Sequence, residues 1–152
     1  MLKSINISGI YVLDQDKAKE FYCDTLGLEE RQDLDLGFMR WLTVGVPGDP
    51  DRSILLELPG PPAMAEGTAE QVRELVTKGA MGFSAGFTTD SAEKTYEALK
   101  SRGVEVSDEL TEHFYGKDFG IRDPFGNRIR IVEPAQVWGE PELEAPAEPV
   151  VK

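Results

Sequence analysis

The sequence predicts an α+β fold: two tandem βαβββ modules forming a groove-enclosing mixed sheet, with a linking helix and a disordered acidic tail. Three observations carry this reading. A strand-like alternation, a capped amphipathic helix and three further strand-like segments follow one another, and the same order then returns. Residues at equivalent cap, stop and strand positions recur 76 apart: Ser8 with Ser84, Tyr11 with Phe87, Asp14 with Asp90, Gly27 with Gly103, Glu29 with Glu105 and Glu57 with Glu133. Between the halves lies a proline-rich connector that suits neither a helix nor an inner strand.

In the first half, residues 4–13 read as a strand, with Ile10 and Val12 alternating against Gly9 and Tyr11. Asp14 can accept the free N–H groups of a helix start, and Ala18, Phe21, Tyr22 and Leu26 form its apolar stripe. Gly27 stops it. Strands are expected at 28–35, 38–46 and 52–58, with Pro47-Gly48-Asp49-Pro50 turning between the last two. The connector (59–66) precedes a short helix bearing Ala69, Val72, Leu75 and Val76 on one face.

The second half opens with a strand at 82–89. Asp90-Ser91-Ala92-Glu93 has the spacing of a capping box, and Ala92, Thr95, Tyr96 and Leu99 point inward from the helix that ends at Gly103. Strands at about 104–110, 117–122 and 127–133 complete it. The expected layout is one domain over 1–134, with modules at about 4–58 and 82–134, linker and helix at 59–81, and a disordered Pro/Glu-rich tail at 135–152.

Composition narrows the function. The chain of 152 residues has 28 acidic against 16 basic side chains, a net charge of −12. The stretch from Pro134 carries four glutamates and one lysine, which leaves −9 on the folded part. Binding nucleic acid or an anionic membrane needs a surplus of Lys and Arg, so both are excluded as expected partners. Cys23 is the one cysteine, which removes a disulfide framework and a Cys-based zinc site. With no signal-length apolar run at the start and no stretch of roughly 20 apolar residues elsewhere, the cytoplasm is the expected location.

Two segments carry a resemblance. Phe21-Tyr22-Cys23-Asp24-Thr25-Leu26-Gly27-Leu28 and Asp123-Pro124-Phe125-Gly126-Asn127 resemble, respectively, the end of the first-module helix and the turn before the last strand in the vicinal oxygen chelate superfamily. That superfamily includes glyoxalase I, extradiol dioxygenases, fosfomycin-resistance enzymes and bleomycin-binding proteins, and the resemblance covers residues 4–134. The second segment also has a purely mechanical reading as a turn, since Gly126 can take positive φ and Asn127 tolerates left-handed geometry.

The resemblance implies metal ligands (His, Gln or Glu) on the first and last strand of each module. Those positions fall on Ile7, on Ser84 (Phe83 if the alignment slips by one), on Arg130 and, 76 residues before it, on Ile54. None is a usual ligand, and a guanidinium repels a divalent cation. Glu57 and Glu133 lie three residues from their slots, an odd spacing that should turn them to the opposite sheet face. No metal and no cofactor are expected. Nor is there a phosphate-binding loop or a nucleophile elbow.

Strand parity supplies the ligand-binding candidates: Tyr11, with Ile7 and Gly9 on one face; Trp41, for which a plain core position is the simpler reading; Ser84, with Gly86; and Arg130. His113, in an expected loop, and Tyr115 complete the set. An inward Arg130 requires an anionic partner, from the protein or from a ligand. The resulting expectation is a metal-independent binding protein of the glyoxalase/bleomycin-resistance type that takes a small organic ligand, such as a drug or metabolite, and pairs as a homodimer. The alternatives are a metal-dependent lyase, isomerase or dioxygenase with atypical ligands, and a non-catalytic assembly module.

Overall fold

A computed structural model describes residues 1–140; the greater part of the expected tail, 141–152, lies outside the described residues. The first module runs β1 (Ile7–Tyr11), α1 (Gln15–Lys19), β2 (Glu29–Asp35), β3 (Arg40–Gly45) and β4 (Ser53–Glu57). A linking helix α2 (Glu66–Thr77) leads to β5 (Phe83–Thr88), α3 (Ala92–Ser101), β6 (Glu105–His113), β7 (Gly116–Arg122) and β8 (Arg128–Pro134). Each module folds into a four-stranded mixed sheet, ordered β1-β4-β3-β2 and β5-β8-β7-β6. In both, the first strand runs parallel to the last, and the remaining pairs are antiparallel.

The halves do not keep a fixed spacing. Asp14 caps the first helix by accepting from Lys17 N, but the second is capped by Ser91, which accepts from Lys94 N, and not by Asp90. These caps stand 77 apart, whereas the stop glycines Gly27 and Gly103, both at positive φ, stand 76 apart. The extra residue is absorbed by a π-helical segment, Glu20–Thr25, that continues α1, where Leu26 N–H reaches back to Phe21 O. By the last strands the spacing is 75: Gly9 pairs with Leu55 as Gly86 pairs with Arg130. Leu55, rather than Ile54, is therefore the counterpart of Arg130.

Alternation along the strands sorts each sheet into two faces. Ile10, Val12, Leu42, Val44 and Leu56 of the first sheet and Phe119, Ile121, Ile129 and Ile131 of the second are buried in one shared apolar cluster with Tyr22, Tyr96 and Leu99. The opposite faces carry Ile7, Gly9, Tyr11, Leu55, Glu57 and Trp41 in the first module, and Ser84, Gly86, Asp118, Gly120 and Arg130 in the second.

The Asp123 turn ties the modules together. Asp123 Oδ1 accepts from Phe125 N and Asn127 N, both at 2.9 Å, and Oδ2 accepts from Tyr22 Oη and Asn127 Nδ2, both at 2.8 Å. Asn127 Nδ2 also donates to Tyr11 O of the first module at 2.8 Å. Gly126 sits at φ 107°, and a Cβ there would fall 2.7 Å from Val76 O of the linking helix, so both conformation and space require glycine. At the far end, Ala135 N–H and Gly139 N–H bond to Tyr115 O and Phe114 O, and Trp138 meets Phe114 edge-on, so this part of the expected tail lies against the β6–β7 hairpin.

Candidate ligand-binding groove

The second module's face is organised around Asp118, whose side chain is only 7% exposed. Phe119 and Ile121 turn into the core, so Asp118 and Gly120, on the alternate positions of β7, turn toward the groove. Arg130 Nη2 donates to Asp118 Oδ2 at 2.5 Å, and its Nη1 lies 3.0 Å from Asp108 Oδ2. The missing side chain at Gly120 leaves the space that Asp108 fills. Tyr115 Oη donates to Asp118 Oδ2 at 2.9 Å, and His113 Nε2 stands 3.1 Å from Asp118 Oδ1. The His113 and Tyr115 rings stack, with centroids 5.0 Å apart and planes 12° from parallel. His113 closes β6 rather than lying in a loop.

The first module presents a different row. Tyr11 pairs with Glu57 across β1 and β4. The β3–β4 ladder joins Thr43 to Leu55, so Trp41 and Glu57, two residues further along their strands, share that pair's face, and Gln15 Nε2 bridges the strands beyond it by donating to Arg40 O and Leu56 O. Glu57 therefore shares the groove face; the opposite orientation expected for it came from placing the last-strand slot on Ile54. Trp41 is half-buried on that face, not in the core, and its Nε1 donates to Gln32 Oε1 at 3.1 Å. Burial pushes the Glu57 carboxyl up, and burial followed by the Glu57 charge pushes the Tyr11 phenol up.

Ser84 stands apart from both groups. It lines a cleft of about 320 Å³ between β1 and β5, together with Ile7, Ser53, Gly86 and Thr88, and its Oγ donates to Asn127 Oδ1 at 3.4 Å. The six expected site residues thus fall into three places: His113, Tyr115 and Arg130 around Asp118, Tyr11 and Trp41 beside Glu57, and Ser84 in the cleft. Asp118, Asp108 and Glu57 are the groove-face carboxylates that sequence reasoning missed. Asp118 was visible in principle, since Asp118-Phe119-Gly120-Ile121 alternates polar or small with apolar residues.

The positions that the resemblance assigns to metal ligands are occupied by Ile7, Leu55, Ser84 and Arg130. Two aliphatic side chains, a hydroxyl and a guanidinium already held between two carboxylates do not fit a divalent ion. Among the described residues, no three His, Cys, Asp or Glu side chains are grouped as a metal site.

The sequence matches the Glyoxalase/Bleomycin resistance protein/Dioxygenase superfamily over residues 4–131, and the chain belongs to that family. It is 32% identical over 129 residues to YurT of Bacillus subtilis (strain 168), covering 85% of this chain and 98% of YurT. Among solved structures it is similar to UcmS2, at 34% identity and a TM-score of 0.82 over 88% of this chain and 99% of UcmS2. It is also similar to TnmS3, an antibiotic binding protein from Streptomyces sp. CB03234, at 27% identity and a TM-score of 0.70 over 88% of this chain and 98% of TnmS3.

Proposed function

We propose that this protein binds a small organic molecule in its groove without a metal ion, sequestering a drug or metabolite rather than transforming it. The observation that carries this reading is Arg130. It occupies the last-strand position that the resemblance assigns to a metal ligand, where a guanidinium would repel the ion, and Asp118 and Asp108 hold it there. The similarity to an antibiotic binding protein supports the same reading. Tyr11, Trp41, Ser84, His113, Tyr115 and Arg130 are the proposed ligand-contacting residues, four of them offering aromatic faces with polar handles and the other two a hydroxyl and a guanidinium.

The protein is proposed to work as a homodimer in the cytoplasm. The outer strands β1, β2, β5 and β6 each have one edge unpaired within their own sheet, and Leu34, Leu36 and Phe38 lie exposed on and beside the β2–β3 hairpin. No helix among the described residues is long and apolar enough to cross a membrane.

A thermal-shift screen on chelator-washed protein tests the binding reading, using aromatic compounds that are cationic, neutral and anionic. A concentration-dependent rise in Tm with at least one class is expected. A flat response across the whole panel would contradict it.

A further inference from the structure

We propose that Tyr11, Glu57 and Trp41 form a subsite for the cationic nitrogen of the ligand, an ammonium or alkylated amine carried on an apolar body. This rests on the small-molecule-binding reading and names the ligand class it takes. Tyr11 and Glu57 are paired across β1 and β4, and Trp41 lies on the same sheet face of the neighbouring strand β3, beyond the last β3–β4 pair, Thr43 with Leu55.

Glu57 differs from the other groove carboxylates identified above. Asp118 and Asp108 both contact Arg130, whereas among the described residues no hydrogen bond or ion pair reaches the Glu57 carboxylate. A half-buried carboxylate without a counter-charge costs free energy, and an organic cation would remove that cost. The carboxylate leans over Gly9: a Cβ on that glycine would lie 3.7 Å from Glu57 Oε1. Because paired strands stand about 4.8 Å apart and the Glu57 charge is felt at the Tyr11 phenol, a cation seated on the carboxylate would fall inside the roughly 6 Å range of a cation–π contact with the Tyr11 ring, and Trp41 adds an aromatic side chain on the next strand. Gln32 Oε1 takes the Trp41 N–H and so orients the indole. An anion would be repelled here, and a neutral ligand would leave the charge unpaired.

The test uses three probes with one ring: benzyltrimethylammonium, benzyl alcohol and benzoate, each titrated into the full chain. The readouts are the Trp41 indole NMR signal, assigned with Trp41→Phe, and affinity by calorimetry. The ammonium should shift the Trp41 signal and bind about tenfold or more tighter than the alcohol, with benzoate weakest. Glu57→Gln should erase the preference for the cation while leaving the alcohol affinity within about twofold. Trp41→Leu, checked for folding by its melt, should also lower the ammonium affinity.

Equal binding of ammonium and alcohol, a preference that survives Glu57→Gln, or shifts that bypass Trp41 would each overturn the subsite while leaving small-molecule binding intact. If no probe moves any resonance, the subsite is overturned, and the binding reading falls with it only if the wider thermal-shift panel is flat as well. The two failures are therefore distinguishable.

Discussion

The Tyr22 hydroxyl donates a 2.8 Å hydrogen bond to Asp123 Oδ2 across 101 residues of sequence. Each residue belongs to one of the two segments that resemble the family, so the segments are halves of one buried tie. Asp123 takes four donors and is 4% exposed, while Tyr22 is fully buried. Burial and the Asp123 charge push the Tyr22 phenol far above its ordinary range, so it donates at every working pH.

Tyr22→Phe removes one donor from that carboxylate and changes little else. Stability should fall by about 1–3 kcal/mol, the scale for leaving a buried charged acceptor short of a partner. Urea denaturation monitored by circular dichroism checks it. A midpoint unchanged from the parent would show that the tie contributes nothing.

Arg130→Leu takes the guanidinium from Asp118, whose side chain is 7% exposed, and leaves it Tyr115 and His113 as partners. The loss should be about 1–3 kcal/mol, the scale for removing one charged hydrogen-bond partner of a buried group that keeps others. Removing both charges, as Arg130→Leu with Asp118→Leu, should recover part of it. A double variant no more stable than Arg130→Leu would assign the loss to packing.

The acid limb has a named contributor. Arg40 donates to both oxygens of Asp33 at 2.8 and 2.9 Å, and with Lys19 beside it the carboxyl is held down to about 2. A depressed folded-state value means that stability from this group is present above the ordinary carboxyl value near 3.8 and is lost as pH falls through about 2. Asp33→Asn should therefore flatten the loss of stability between those values. Parallel acid-unfolding curves for variant and parent would contradict this.

The dimer is open to direct weighing. Light scattering at micromolar concentration should return about twice the 16.8 kDa chain mass. A mass near that of one chain would remove the dimer from the account.

Much of the fold was legible because local rules decide it. The alternation of Ile10 and Val12 against Gly9 and Tyr11 fixes the faces of β1, Asp14 and Gly27 bound the first helix, and the Asp123 turn has its own chemistry. The π-helical segment was not legible, because a one-residue insertion inside a helix leaves the apolar stripe and the stop glycine in place. A separate slip of one residue in the strands, from 76 to 75, put the last-strand slot on Ile54 and turned Glu57 to the wrong face. The Arg130–Asp118 pair depends on cross-strand register: β7 and β8 pair Gly120 with Arg130, and the long side chain reaches diagonally to Asp118. An inward arginine told the reader to look for an anion but not on which strand.

The central claim is that the groove works without a metal, and elemental analysis tests it most directly. Protein purified without added metal and without chelator would be assayed for Fe, Mn, Ni and Zn, with native mass spectrometry on the same sample. Well under one equivalent of every metal per chain is expected. One equivalent of any of the four, lost together with ligand binding on chelation, would contradict it and return the protein to the metal enzymes of its family.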